Sequence, residues 1–306
     1  MKIYLHIPLL ALFACSAISS ETINEQANMK PNGKLKVSNV AGTVDIEGWS
    51  NKRIEVTGKL GDDSTLIFDV DDDTAVVEVE FKNHGRKRHR NLESSDLVIR
   101  VPHSTRVSVS TVSADLTVRD IKGVQRLKTV SGDLKTQVFG EDVDAKTVSG
   151  EIIIEGNNSA SNLMVGTVSG DVEVTDVAGE ISARSVSGDI ELDATEFSRL
   201  DMKSVSGDLD CSGDLEKGGR VDAESVSGDV NLNLENLYDT EYYVESFSGD
   251  IDPVLDYKAK RTSKYAPGSR LELTEGKGSS RIQIETMSGD VEISTTGKTN
   301  KKPDVQ

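Results

Sequence analysis

The sequence predicts an all-β protein whose strands stack as the coils of a parallel β-solenoid, and three observations point to it. A Val-Ser-Gly-Asp tetrapeptide recurs, with strong copies ending at Asp133, Glu151, Asp171, Asp189, Asp208, Asp229, Asp250 and Asp290 and a degenerate one at Val112-Ser113-Ala114-Asp115. Apolar and polar residues alternate on both sides of each copy, as in Leu127-x-Thr129-x-Ser131 before the corner and Val172-x-Val174 after it; period two is the mark of a strand. Aromatics make up only 4% of the 306 residues, so the core must come from Val, Ile and Leu, which suit stacked strands.

In chain order, residues 1–20 read as a targeting segment. Lys2 supplies a positive start, and the apolar stretch from Ile3 to Ala14 is broken only by His6 and Pro8; that pattern directs export and is too short to span a bilayer. Two processing routes are open. One is cleavage after the small residues Ala17 to Ser20. The other is lipidation of Cys15, because Leu12-Phe13-Ala14-Cys15 is similar to a bacterial lipobox with an atypical Phe13. Both place the mature protein in the periplasm or at the outer membrane or cell surface, with a lipid anchor as its only expected membrane attachment. Cys211 is then the only other thiol, so no intrachain disulfide is expected, and its strand spacing from Leu209 marks it as a small buried hydrophobe.

Residues 31–110 are strand-rich but irregular, with Lys34-Leu35-Lys36-Val37, Thr43-Val44-Asp45-Ile46, Ala75 to Val79 and Leu97 to Val101. They are expected to form lead-in coils or a cap, because the open end of a stack exposes unpaired edges. Residues 111–295 carry the repeat. Its corner falls at Ala114, Gly132, Gly150, Gly170, Gly188, Gly207, Gly228, Gly249 and Gly289, a coil of roughly 18–21 residues. The last step spans two periods, so one coil should have lost its signature around 268–272. Residues 296–306 have no apolar period and read as a flexible tail.

The corner residues are expected to be structural: Gly132, Asp133, Gly150, Gly170, Asp171, Gly188, Asp189, Gly207, Asp208, Gly228, Asp229, Gly249, Asp250, Gly289 and Asp290. Glycine reaches positive φ without a Cβ clash, and Asp or Ser can bond neighbouring backbone N–H groups. Ala114 is a poorer fit. Demand for the same corner in every repeat favours a solenoid, whose coils lie directly on one another about 4.8 Å apart. A run of antiparallel hairpins closing into a β-sandwich is the alternative. Hydroxyls at Thr129, Thr147, Thr167, Ser185, Ser204, Ser225, Ser246 and Thr286 would let walls approach closely, hydrogen-bonding to each other and to strand ends.

The repeated T/S-V-S-G-D-V/I pattern, the opening Val37-Ser38-Asn39-Val40-Ala41-Gly42-Thr43-Val44 with Gly48-Trp49, and the Leu97 to Pro102 strand resemble the DUF4097 family over nearly all of the mature chain. The resemblance implies a β-helix-like repeat fold in an envelope or surface protein, for which adhesin is an inferred label. It implies no catalytic or ligand-binding residue.

The inventory for catalysis is thin. His6 lies in the targeting segment, His84 and His89 in a charged loop, and His103 has no nucleophile motif beside it. No P-loop, dinucleotide fingerprint or Cys/His metal cluster appears, and no cofactor is expected. Stacked Asp carboxylates could attract calcium, but the nonapeptide of calcium-binding β-rolls is missing, so turn capping is the preferred role and no metal site is assigned. Asp62, Asp63, Asp69, Asp71, Asp72 and Asp73 read as solvated turn residues. Against 52 acidic and 35 basic residues, a net charge of -17, two basic loops stand out. Lys82, Arg86, Lys87, Arg88 and Arg90 form one; Lys258, Lys260, Arg261 and Lys264 form the other. They are candidates for docking an anionic glycan, lipid or envelope protein, while acidity and export argue against nucleic acid. The expected function is a non-enzymatic, adhesin-like scaffold or binding module of the envelope; the alternative is a β-helical polysaccharide-active enzyme.

Overall fold

Each repeat contributes a strand before the Ser-Gly-Asp corner and a strand after it, and each pairs with its counterpart in the neighbouring repeat. The computed structural model describes residues 21–71, 73–81, 93–253, 259–261 and 268–295, and among them every regular element is a strand. The targeting segment with Cys15, the loop holding Lys82, Arg86, Lys87, Arg88 and Arg90, together with Lys258, Lys264 and the tail, lie outside the described residues.

The pairing across the repeats is parallel and in register. Before the corner, Val107 stands beside Gln125, then Val143, Leu163, Ile181, Leu200 and Val221 follow in turn. After the corner the row runs Leu116, Leu134, Ile152, Val172, Ile190, Leu209 and Val230. Two walls result, and the alternation turns one side chain in two inward. The apolar rows are buried from Leu35 to Ile293 in one cluster. Gln125 and Thr136 enter that core as a satisfied pair: the Thr136 hydroxyl donates to Gln125 Oε1 at 2.6 Å, and Gln125 Nε2 donates to the Gln137 carbonyl at 2.7 Å.

The corner demands glycine twice over. Gly132, Gly150, Gly170, Gly188 and Gly207 hold φ between 146° and 153°, a region that side chains with a Cβ rarely enter. A Cβ on Gly150, Gly170, Gly188, Gly207, Gly228, Gly289 or Gly249 would also sit 2.1–2.2 Å from the carbonyl oxygen of the adjoining corner. Ala114 adopts no positive φ, so its methyl group avoids that strain. The Asp side chains cap the next repeat. Asp115 Oδ1 accepts the Asp133 N–H and Asp133 Oδ1 the Glu151 N–H; from Asp171 the relay continues through Asp189, Asp208, Asp229 and Asp290 to the Asp250 N–H, all at 2.8–3.0 Å. It is interrupted at Glu151, whose longer side chain does not supply the bond.

Chain order and stacking order part company at both ends. The double step between Gly249 and Gly289 does not hide a degenerate coil at 268–272, as the spacing suggested. Residues Ser269–Thr274 form a strand antiparallel to Thr240–Ser246, and Lys260–Arg261 adds antiparallel to it. The last signature repeat, Ser280–Ser288 and Val291–Ser294, then turns back and inserts between Leu209–Ser227 with Val230–Glu235 on one side and Thr240–Ser246 with Ile251–Asp252 on the other. The opposite end repeats the device. Lys34–Trp49 is held in parallel between Arg106–Arg119 and the pair Thr74–Phe81 and Ser95–Pro102. Outside these lie antiparallel strands: Ser64–Asp71 on Thr74–Phe81, Arg53–Leu60 on Ser95–Pro102, and Glu21–Asn28 on Arg53–Leu60. Antiparallel strands tolerate water on one face better than parallel ones, so they suit the exposed ends. Asp69 and Asp71 accordingly belong to an outer strand rather than a turn, with outward-facing side chains. Parallel pairing also runs straight through position 110, within Arg106–Arg119.

Candidate functional site

The pattern T/S-V-S-G-D places its hydroxyl inward and its valine outward, and in-register stacking turns each position into a row. Val112, Val130, Val148, Val168, Val186, Val205 and Val226 are 45–47% exposed, and Met287 and Phe247, which continue the row, are 58% exposed. Together they make one uninterrupted apolar ridge along the stack. Contiguous exposed apolar surface of this kind marks interaction sites.

A charged row flanks it two positions before the ridge on each strand. In stacking order it reads Lys128, Lys146, Gly166, Arg184, Lys203, Glu224, Glu285 and Glu245. The sign reverses between Lys203 and Glu224, which bridge the reversal at 2.7 Å. The Glu224 hydrogen bond raises the Lys203 pKa above the ordinary lysine value. At the acidic end, Arg270 and Tyr243 donate to Glu245 at 2.9 Å each and hold its carboxyl below the usual range, Arg270 more than Tyr243. Between ridge and charged row runs a groove of 580 Å³ across five repeats, from Arg184–Val186 to Glu245 and Phe247.

The hydroxyl row lies between the two. Here the expectation of a hydrogen-bonded ladder needs correction. Thr129 donates to the Ala114 carbonyl at 3.4 Å and Ser246 to the Gly289 carbonyl at 3.0 Å, but Thr147, Thr167, Ser185, Ser204, Ser225 and Thr286 have buried hydroxyls with no partner among the described residues. Neighbouring strands hold these side chains in register and the backbone groups beside them are already used within the walls, so small size rather than hydrogen bonding accounts for the row.

Of the residues that the sequence marked, the corner glycines and aspartates share one edge of the stack, adjoining the ridge. Lys260 and Arg261 lie in the outermost strand at one end, opposite Arg270 and Ser269, which in turn stand opposite Glu245 and Ser246 at the acidic end of the charged row. His103 Nδ1 donates to the Asp120 carbonyl at 2.8 Å, a structural tie. Cys211 is buried at 4% exposure between Leu192 and Leu232 in its row, and burial pushes its thiol pKa far up, with smaller contributions from Asp193 and Asp210. The ridge was not singled out from sequence. The signal was present, since the alternation that turns Leu127, Thr129 and Ser131 to one side leaves Val130 on the other.

These features define a class: an all-β repeat protein with parallel walls that presents a long apolar ridge and a bipolar charged row on one face. The chain belongs to the DUF4097 family, described as Toastrack, which matches residues 32–294. Among curated proteins none matches it. Among solved structures, a protein provisionally designated an adhesin from Bacteroides fragilis is 13% identical, covering 90% of this chain and 98% of that one at a TM-score of 0.47. Another so designated from Parabacteroides distasonis is 12% identical, covering 90% and 97% at 0.29. A protein provisionally designated lipid-binding from the same species is 10% identical, covering 89% and 96% at 0.28.

Proposed function

We propose that this chain is a parallel β-solenoid of the bacterial cell envelope, exported and non-enzymatic, that acts as an adhesin-like scaffold and binds an extended partner along the groove beside its apolar ridge. The observation that carries this reading is the ridge itself, nine side chains from Val112 to Phe247 in a single row. The charged row supports a polypeptide partner over a lipid or a glycan: its sign change from Arg184 and Lys203 to Glu224, Glu285 and Glu245 is complementary to a segment carrying both charges, whereas anionic lipids and acidic glycans carry one. Electrostatic matching of this kind sets register and orientation more than affinity. The hydroxyls between the ridge and the charged row are buried beneath the groove, which suits binding along its surface.

The test compares wild type with the Val186→Ser, Val205→Ser, Val226→Ser triple variant, immobilised and offered envelope proteins, lipid vesicles and a glycan array. A protein ligand whose capture falls about tenfold in the variant, a loss of about 1.4 kcal/mol, with an unchanged melting temperature, is the expected result. Equal capture by both forms sinks the proposal, as does turnover of a glycan seen by reducing-end analysis.

A further inference from the structure

The start of the before-corner wall carries a second charged row, about 20 Å along the strands from the ridge at 3.3 Å per residue. In stacking order it reads Asn162, Glu180, Arg199, Arg220, Arg281 and Glu241. Three arginines thus stand side by side on adjacent strands, about 4.8 Å apart, in a protein of net charge -17. Like charges directly opposite each other destabilise a sheet, so such a triplet calls for countercharge. The outer two receive it: Arg281 donates to Glu241 Oε2 at 2.7 and 3.1 Å, and Arg199 lies 4.0 Å from Asp222. Arg220, exposed at the centre, makes no ion pair among the described residues.

The residues just before these arginines are small in all three repeats: Ser198, Gly218-Gly219 and Gly278-Ser279 line a cleft of 450 Å³ together with the arginines and Glu241. A Cβ on Gly218 would meet nothing within 4 Å, so the cleft is open at the central repeat.

We infer that the Arg199–Arg220–Arg281 ladder, centred on Arg220, is a binding site for a phosphoryl group. A guanidinium offers planar paired donors that match phosphate oxygens. Stacked guanidiniums on adjacent strands present those donors in separate planes, and the oxygens of a tetrahedral phosphoryl group, which do not share one plane, can accept from more than one of them at once. The group would come from a soluble phosphate ester or from a lipid headgroup. The site is independent of the ridge, so either assignment can fail alone.

Calorimetric titration of the full chain with inorganic phosphate at low ionic strength tests it. Saturable binding by wild type is expected, weakened at least tenfold in Arg220→Gln, weakened less in Arg220→Lys, and unchanged in Arg106→Gln, an exposed arginine at the equivalent place in a distant repeat. Absence of saturable binding, or binding that Arg220→Gln leaves intact, overturns the site. Co-sedimentation with phosphatidic acid vesicles but not phosphatidylcholine vesicles, abolished in Arg220→Gln, assigns the lipid source; Arg220-dependent phosphate binding without co-sedimentation assigns the soluble one.

Discussion

At the scale of single residues, two kinds of glycine can be told apart. Gly188 has φ 146° and would place a Cβ 2.1 Å from the Gly170 carbonyl, whereas Gly218 has φ 83° and open space around it. Gly188→Ala is therefore expected to cost on the order of 3 kcal/mol, through strain and a displaced neighbour. Gly218→Ala should cost about 1 kcal/mol from the backbone alone. Urea denaturation midpoints measure both, and equal costs would contradict the stacking constraint. The hydroxyls yield a prediction of opposite sign. Ser204 buries an Oγ with no partner among the described residues, and removing an unsatisfied polar group is neutral or stabilising. Ser204→Ala is expected to raise stability by up to about 1 kcal/mol; a clear loss would reveal a hydrogen bond that the geometry lacks. These effects were only half legible beforehand. Glycine at the corner follows from turn chemistry, but its clash with the next carbonyl depends on a neighbour one whole repeat away in the chain.

At the scale of elements, the outer strand Ser269–Thr274 is fastened to Thr240–Ser246 by Arg270, which donates both to Glu245 Oε1 at 3.0 Å and to Oε2 at 2.9 Å and sits 5.7 Å from the Tyr243 ring. The folded pKa of Glu245 lies below its ordinary value of 4.5. Its contribution is therefore complete above pH 4.5 and is lost as pH falls through the lowered value. Because the pair is partly exposed, the effect is small and weakens with salt. Hydrogen exchange of residues 269–274 should accelerate from pH 5 to pH 3 relative to the rest of the sheet, with rates corrected for intrinsic pH dependence. In Glu245→Gln that differential should vanish; its persistence would mean another group is responsible. No sequence pattern announced this clasp, since Arg270 stands opposite Glu245 only once the strand reverses.

At the scale of the molecule, the last signature repeat at one end and Lys34–Trp49 at the other are each tucked inside the stack, and other segments, Glu21–Asn28 among them, close the outside. A chain ending at Gly278 would lose Ser280–Ser288 and Val291–Ser294 and leave the edges of Leu209–Ser227 and Thr240–Ser246 without a partner. Bare parallel edges invite self-association. The truncated protein is expected to lose protection over Thr240–Ser246 and Ser269–Thr274 and to form oligomers, read by hydrogen exchange and light scattering. A monomer with native protection there would show that the inserted repeat is dispensable.

The amino-acid sequence by itself determined the strands, the regularly recurring corner and the two-sidedness of each wall, because alternation and turn chemistry act over a few neighbouring residues. Only the tertiary structure decided which repeat lies beside which. The repeats carry nearly interchangeable apolar patterns, so local rules allow the last one to stack on either neighbour; in the structure it lies inside Thr240–Ser246, whose other edge Ser269–Thr274 covers. That non-local choice brings Met287 beside Val226 and Arg281 beside Arg220. The apolar ridge and the arginine ladder both depend on it.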